Sequence, residues 1–166
     1  MAYTYSKIAT YTVGSGGISS INFINIPQTY TDLKLVWSIR SSADNLDMTI
    51  AYNGSGSNLS GRWLYGNGST VVNESQSYGV YYMNQSTTTS NTFSNGELYM
   101  PNYTSSNNKS MSIDHATENN GTTARAGLQA LLWSNSAALT SLSITPNAGN
   151  FVQYSTAHLY GIKAEL

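Results

Sequence analysis

Cysteine is absent from this chain of 166 residues, proline occurs three times, and charged residues make up only 9%. Without cysteine there are no disulfide staples and no thiolate metal sites, and the chain suits synthesis in a reducing cytoplasm. Its seven basic residues, Lys7, Lys34, Arg40, Arg62, Lys109, Arg125 and Lys163, stand singly, and the net charge is -1. Binding nucleic acid through phosphates needs a basic stripe, so no nucleic-acid partner is expected. No apolar run approaches the roughly 20 residues of a membrane-spanning helix, so no membrane partner is expected. The opening MAYTYSKIAT has neither the charged n-region nor the apolar h-region of a signal peptide.

What is present is hydroxyl and amide. Ser (25), Thr (18) and Asn (18) supply 61 residues, and Tyr (13) far outnumbers Phe (3). Such side chains favour turns and exposed sheet faces over helix interiors. They make a neutral, hydrogen-bonding surface, suited to packing against other protein or touching glycan. An apolar fraction of 40% argues against disorder, and the length is that of one domain with a sizeable core.

Apolar residues recur at every second position, the period of half-buried strands. Leu33, Leu35, Trp37 and Ile39 alternate with polar partners, as do Leu46, Met48, Ile50 and Tyr52, then Met111 and Ile113, then Leu142 and Ile144. Weaker strands fit 5–13, 18–26, 60–65, 93–100, 124–133 and 151–162. In 124–133, Leu128, Ala130 and Leu132 share one face while Leu131 and Trp133 share the other, which predicts burial on both sides or a partly helical segment. Turns are expected at Gly14-Ser15-Gly16-Gly17, Asn53-Gly54, Gly66-Asn67-Gly68, Asn95-Gly96, Asn119-Asn120-Gly121 and Pro146-Asn147. Eight to ten short strands at this spacing predict an all-β, antiparallel sandwich in one domain spanning 1–166. The long polar connections at 53–59, 66–79, 84–91 and 101–109 favour a jelly roll, with 84–91 as a low-complexity surface loop.

Catalytic chemistry has little to build on. The histidines are His115 and His158. Asp114 precedes His115, but adjacent strand residues point to opposite faces and cannot grip one ion. A catalytic set needs a nucleophile, a base and an orienting group. No pair among the eight carboxylates, Asp32, Asp44, Asp47, Glu74, Glu97, Asp114, Glu118 and Glu165, is singled out by its local context. Gly14-Ser15-Gly16-Gly17 lacks the Lys-Ser/Thr ending of a phosphate loop and reads as a hairpin turn. The reading is of a non-enzyme with no catalytic, cofactor-binding or metal-binding residue and no cofactor. Trp63, Tyr65, Tyr78, Tyr81 and Tyr82 cluster in the Gly-rich middle. Aromatic rings among amides serve a sugar-binding face, a protein interface or a plain sandwich core, with core or subunit interface the commoner use.

Four runs carry a resemblance: IPQTYTDLKL at 26–35, YMPNY at 99–103, TENN at 117–120 and GNFVQYSTAHLYGI at 149–162. They resemble a family of small structural proteins from tailed bacteriophages, many of them cyanophages and other aquatic phages. The likeness spans Ile8 to Ile162, is best at the two ends, and is poorest over about 53–92. It implies a jelly-roll cement protein that decorates the outer surface of the phage head. It further implies a homotrimer bound to the major capsid protein, made in the host cytoplasm and located in the virion. No catalytic residue comes with the family. The alternative is a receptor- or carbohydrate-binding module of a tail fibre or spike, with glycan as its partner.

Overall fold

The computed structural model describes residues 3–76, 80–121 and 124–164. They form twelve strands and no helix: β1 (Tyr3–Thr12), β2 (Ile21–Phe23), β3 (Asp32–Ile39), β4 (Asp47–Tyr52), β5 (Leu59–Gly66), β6 (Val71–Gln76), β7 (Val80–Tyr82), β8 (Ser94–Met100), β9 (Lys109–Ala116), β10 (Ala126–Trp133), β11 (Leu142–Pro146) and β12 (Thr156–Ala164). An eight-stranded sheet runs β1-β12-β3-β8-β9-β10-β5-β6, and a four-stranded sheet runs β2-β11-β4-β7. All pairings between these strands are antiparallel.

The wiring becomes plain when β5, β6, β9 and β10 are set aside. Two four-stranded sheets remain, β1-β12-β3-β8 and β2-β11-β4-β7. The chain crosses from sheet to sheet at every step except β4 to β7, which is the double Greek key of a jelly roll. The hairpins β5–β6 and β9–β10 are insertions. They pair with each other through β10 and β5 and join the larger sheet beside β8, forming a wing.

Alternation dictates which side each strand buries. In β3 the inward residues Leu33, Leu35, Trp37 and Ile39 are at most 1% exposed; Ile50 and Ile144 of the smaller sheet are 0% exposed, and Ile113, on β9 of the same sheet as β3, is 2% exposed. One buried cluster draws on both sheets. Gly96 makes room for Trp37: a Cβ there would stand 2.5 Å from the indole.

Several expectations need correction. Asn95-Gly96 is not a turn but lies within β8, paired to β3 and β9. The connection expected at 66–79 contains β6, which has no buried residue, so no alternation marks it. The strand expected at 151–162 begins only at Thr156. Of segment 124–133, Ala126–Trp133 is a strand without helix and buries one face alone: Gly127, Gln129, Leu131 and Trp133 point inward, while Leu128 is 60% exposed. The stretch 84–91 is a surface loop, exposed at Ser86, Thr87, Thr89, Ser90 and Asn91, but it is anchored rather than free. Asn84, Gln85 and Thr88 are buried around the Arg40 side chain.

Arg40 ties one end of the sandwich together. Its guanidinium donates to the carbonyls of Ser86, Thr88, Thr89 and Thr92 and to Thr88 Oγ1, at 2.8 to 3.3 Å. Its backbone carbonyl accepts from Val152 N (3.0 Å), and its N–H donates to Ser155 Oγ (3.2 Å). Ser42 N bonds Asn150 O, Phe151 bonds Ile18, and Thr87 Oγ1 donates to Asp44. The β1–β2, β3–β4, β7–β8 and β11–β12 loops therefore meet at this end.

Candidate functional site

The wing carries two of the five aromatics that sequence reading singled out, Trp63 and Tyr65. Trp63 and Tyr65 are two apart on β5 and so share its inner face, where the β7 residue Tyr82 meets them from the smaller sheet. Ring centroids lie 4.3 Å apart for Trp63–Tyr65 and 4.8 Å for Trp63–Tyr82. His115 on β9 closes the group at 6.1 Å from Trp63 and 6.3 Å from Tyr82. Arg125, entering β10, lays its guanidinium 3.8 Å from the centre of the Tyr82 ring and 5.0 Å from that of Tyr65. Cation–π contacts of this kind contribute about 0.5–2 kcal/mol. Trp63 is buried and Tyr65 and Tyr82 half-buried, so this cluster is an inner seam between the sheets. Tyr78 and the Tyr81 side chain lie outside the described residues.

The seam is polar beneath its rings. Trp63 Nε1, both ring nitrogens of His115, Arg125 Nη1 and Gln129 Oε1 are buried without a hydrogen-bond partner among the described residues. Gly127 lies against them, and a Cβ there would be 2.7 Å from His115 Nε2 and 2.9 Å from Trp63 Nε1. Burial first, and the Arg125 charge second, lower the His115 pKa to about 4. The imidazole is thus neutral at pH 7 and only 4% exposed. A general base must reach the proton it takes, and this ring is packed against Trp63 and Tyr82. Burial also raises the pKa of Tyr82 and of Asp47, and Arg125 opposes both shifts.

His115 and His158 do not meet: His158 is on β12, hydrogen-bonded to Thr10 Oγ1 at 3.1 Å, with β3 and β8 between. Asp114 and His115 do point to opposite faces, the first exposed and the second buried. The fold pairs two carboxylates that the sequence did not single out, Glu97 and Asp114, directly opposite each other on β8 and β9. Lys34 Nζ holds Glu97 at 2.7 Å. Burial, then the neighbouring Glu97, raise the pKa of Asp114. Among the described residues no group of three or more His, Cys, Asp or Glu stands close enough to hold a metal ion.

The outer face of the wing is different in kind. Leu64 and Leu128 are register partners on β5 and β10, 47% and 60% exposed, and Val71 at the start of β6 is 73% exposed. Two adjoining hollows of about 570 and 440 Å³ share Leu64 and Leu128 as floor. Arg62, Asn73 and Ser112 border the first, and Asn95 and Asp114 the second. β6 is the edge of the sheet and exposes its backbone beside this patch. Edge strands left uncovered are templates for pairing with other chains. Sequence reading missed the patch because Leu128 and Leu64 look like core leucines until the pairing order shows them outside.

Comparison of the chain with protein-family models, with curated proteins and with solved structures gives no match.

Proposed function

We propose that this chain is a structural virion protein, a capsid decoration protein that binds the outer surface of a phage head and stabilises it. One observation carries the reading: a jelly roll extended by an inserted wing whose outer face is apolar at Leu64, Val71 and Leu128 and ends in a bare strand edge. Contiguous exposed apolar surface marks sites of protein contact. The inner face of the wing joins the sandwich core through Met111, Ile113, Leu131 and Trp133, which leaves its outer face for a partner. Low charge, 9% of residues, limits repulsion among many copies set close together.

The partner under this reading is the major capsid protein, with further contacts between copies in a homotrimer at threefold positions of the shell. Copy number in purified particles tests the reading. A count in fixed proportion to the major capsid protein supports head decoration. A count of a few to tens per particle, located on the tail, refutes it and favours a receptor-binding module.

A further inference from the structure

Seven non-glycine residues among those described have positive φ, and six are asparagine: Asn25, Asn53, Asn58, Asn91, Asn102 and Asn120. The seventh is Tyr154, at φ 71°. Asparagine visits this left-handed region at low cost, whereas a bulky aromatic residue there is an outlier. Tyr154 is the third residue of a tight turn closed by Ser155 N donating to Val152 O at 3.1 Å. A turn with positive φ at that position calls for Gly or Asn. A chain with 18 asparagines and 14 glycines places tyrosine here, and burial does not repay the strain, because Tyr154 is 69% exposed.

The turn is held firmly. Arg40 binds both of its ends, at Val152 N and Ser155 Oγ, and Tyr154 N donates to Val13 O at 3.0 Å. Next to it lies a notch of about 310 Å³ between the β1–β2 turn, Ser42 and residues 150–153. Ser15, Ser42, Asn150 and Gln153 supply hydroxyls and amides, Gly16 and Gly17 supply accessible backbone, and no lining residue is charged.

We propose that Tyr154 and this notch form a binding site for one neutral pyranose unit of a glycan. Tyr154 does not line the notch but follows its last lining residue, Gln153, and its exposed ring offers a stacking face to a sugar seated there, while uncharged amides and hydroxyls take the sugar's hydroxyl groups. Strain of this sort is kept where it serves a contact. A protein partner would need a broader surface than a concave notch of one-sugar size. The site is at the loop end and shares no residue with the Leu64 and Leu128 patch, so it adds a ligand to the proposed decoration role and does not depend on it.

The test is a titration of the ¹⁵N-labelled chain with the methyl glycosides of glucose, galactose and mannose and with N-acetylglucosamine. At least one sugar is expected to shift the amides of 15–17, 42 and 150–154. Tyr154→Ala should weaken that binding by about tenfold or more. Tyr154→Gly should weaken it equally and raise the thermal midpoint, a combination that a merely structural tyrosine would not give. Tyr5→Ala, at an exposed tyrosine of the β1 edge, should leave binding unchanged. The proposal is overturned if no sugar shifts the turn, if Tyr154→Ala binds as the parent does, or if Tyr154→Gly lowers the midpoint. Protection of the turn by a protein partner, with none by any sugar, would make Tyr154 a protein contact and also overturn it.

Discussion

Replacing Arg40 with alanine should destabilise the fold by about 3 kcal/mol. Arg40 is 9% exposed, and its guanidinium serves the carbonyls of Ser86, Thr88, Thr89 and Thr92 together with the Thr88 hydroxyl. A hydrogen bond to a charged group contributes roughly 1.5–3 kcal/mol net, and a carbonyl left dry costs roughly 1–3 kcal/mol. Ser86 and Thr89 are exposed enough for water to replace the lost donor, whereas Thr88 is buried, so the sum is far from additive. For a chain of this length the shift in Tm should be about 6–12 °C. Arg40→Lys keeps a charge but not the planar fork, so it should fall between the parent and Arg40→Ala. Urea unfolding gives the free energies, and amide hydrogen exchange locates the effect. Protection should fall at 84–92 and persist at Val152, whose N–H bonds the Arg40 backbone and not its side chain. A loss below about 1 kcal/mol would refute the claim that this cation organises the loop.

Further outcomes follow from the same geometry. Ile113→Ala removes a core side chain that is 2% exposed and should cost about 2–5 kcal/mol by urea unfolding; a change under half a kcal/mol would mean that β9 faces the other way. Tyr154→Gly should stabilise by about 1 kcal/mol by relieving the left-handed tyrosine. His115 has a folded pKa of about 4 against an ordinary 6.5, so its proton binds the unfolded chain more tightly. Its contribution is therefore intact above pH 6.5 and is lost as pH falls toward 4, by on the order of 3 kcal/mol. His115→Leu should flatten that part of the stability–pH curve, and an unchanged slope would mean that the ring is not sealed. Sedimentation should show a trimer, free or on the capsid, with a mass that barely changes with salt, since few charges are available to screen; a strict monomer in both settings would remove the trimer.

The sandwich was legible wherever a strand buries one face. In β3, β4, β9 and β11 the side-chain period of two translates directly into alternating burial. It was not legible in β6, which is solvated nearly throughout and has no face to mark. β10 misled for the opposite reason: Leu128 on its solvent face looks like core, and only the order of neighbouring strands shows that it lies outside, 60% exposed. Trp63, Tyr65 and Tyr82 were singled out as aromatics, but their meeting with His115 and Arg125 depends on inserted hairpins pairing across long separations. Arg40 reads as an ordinary polar position after Ile39, and its partners lie about fifty residues on. Tyr154 gave no signal, because the sign of φ is not written in residue type; the run around it read as strand.

The central claim is that the wing face attaches the chain to a phage head, and cosedimentation with heads lacking the protein tests it most directly. The parent should bind in fixed stoichiometry to the major capsid protein. Leu128→Asp, which places a charge on an already exposed position, should fold with an unchanged midpoint and remain in the supernatant. Binding of Leu128→Asp equal to that of the parent, or no binding of the parent to heads, would contradict the account.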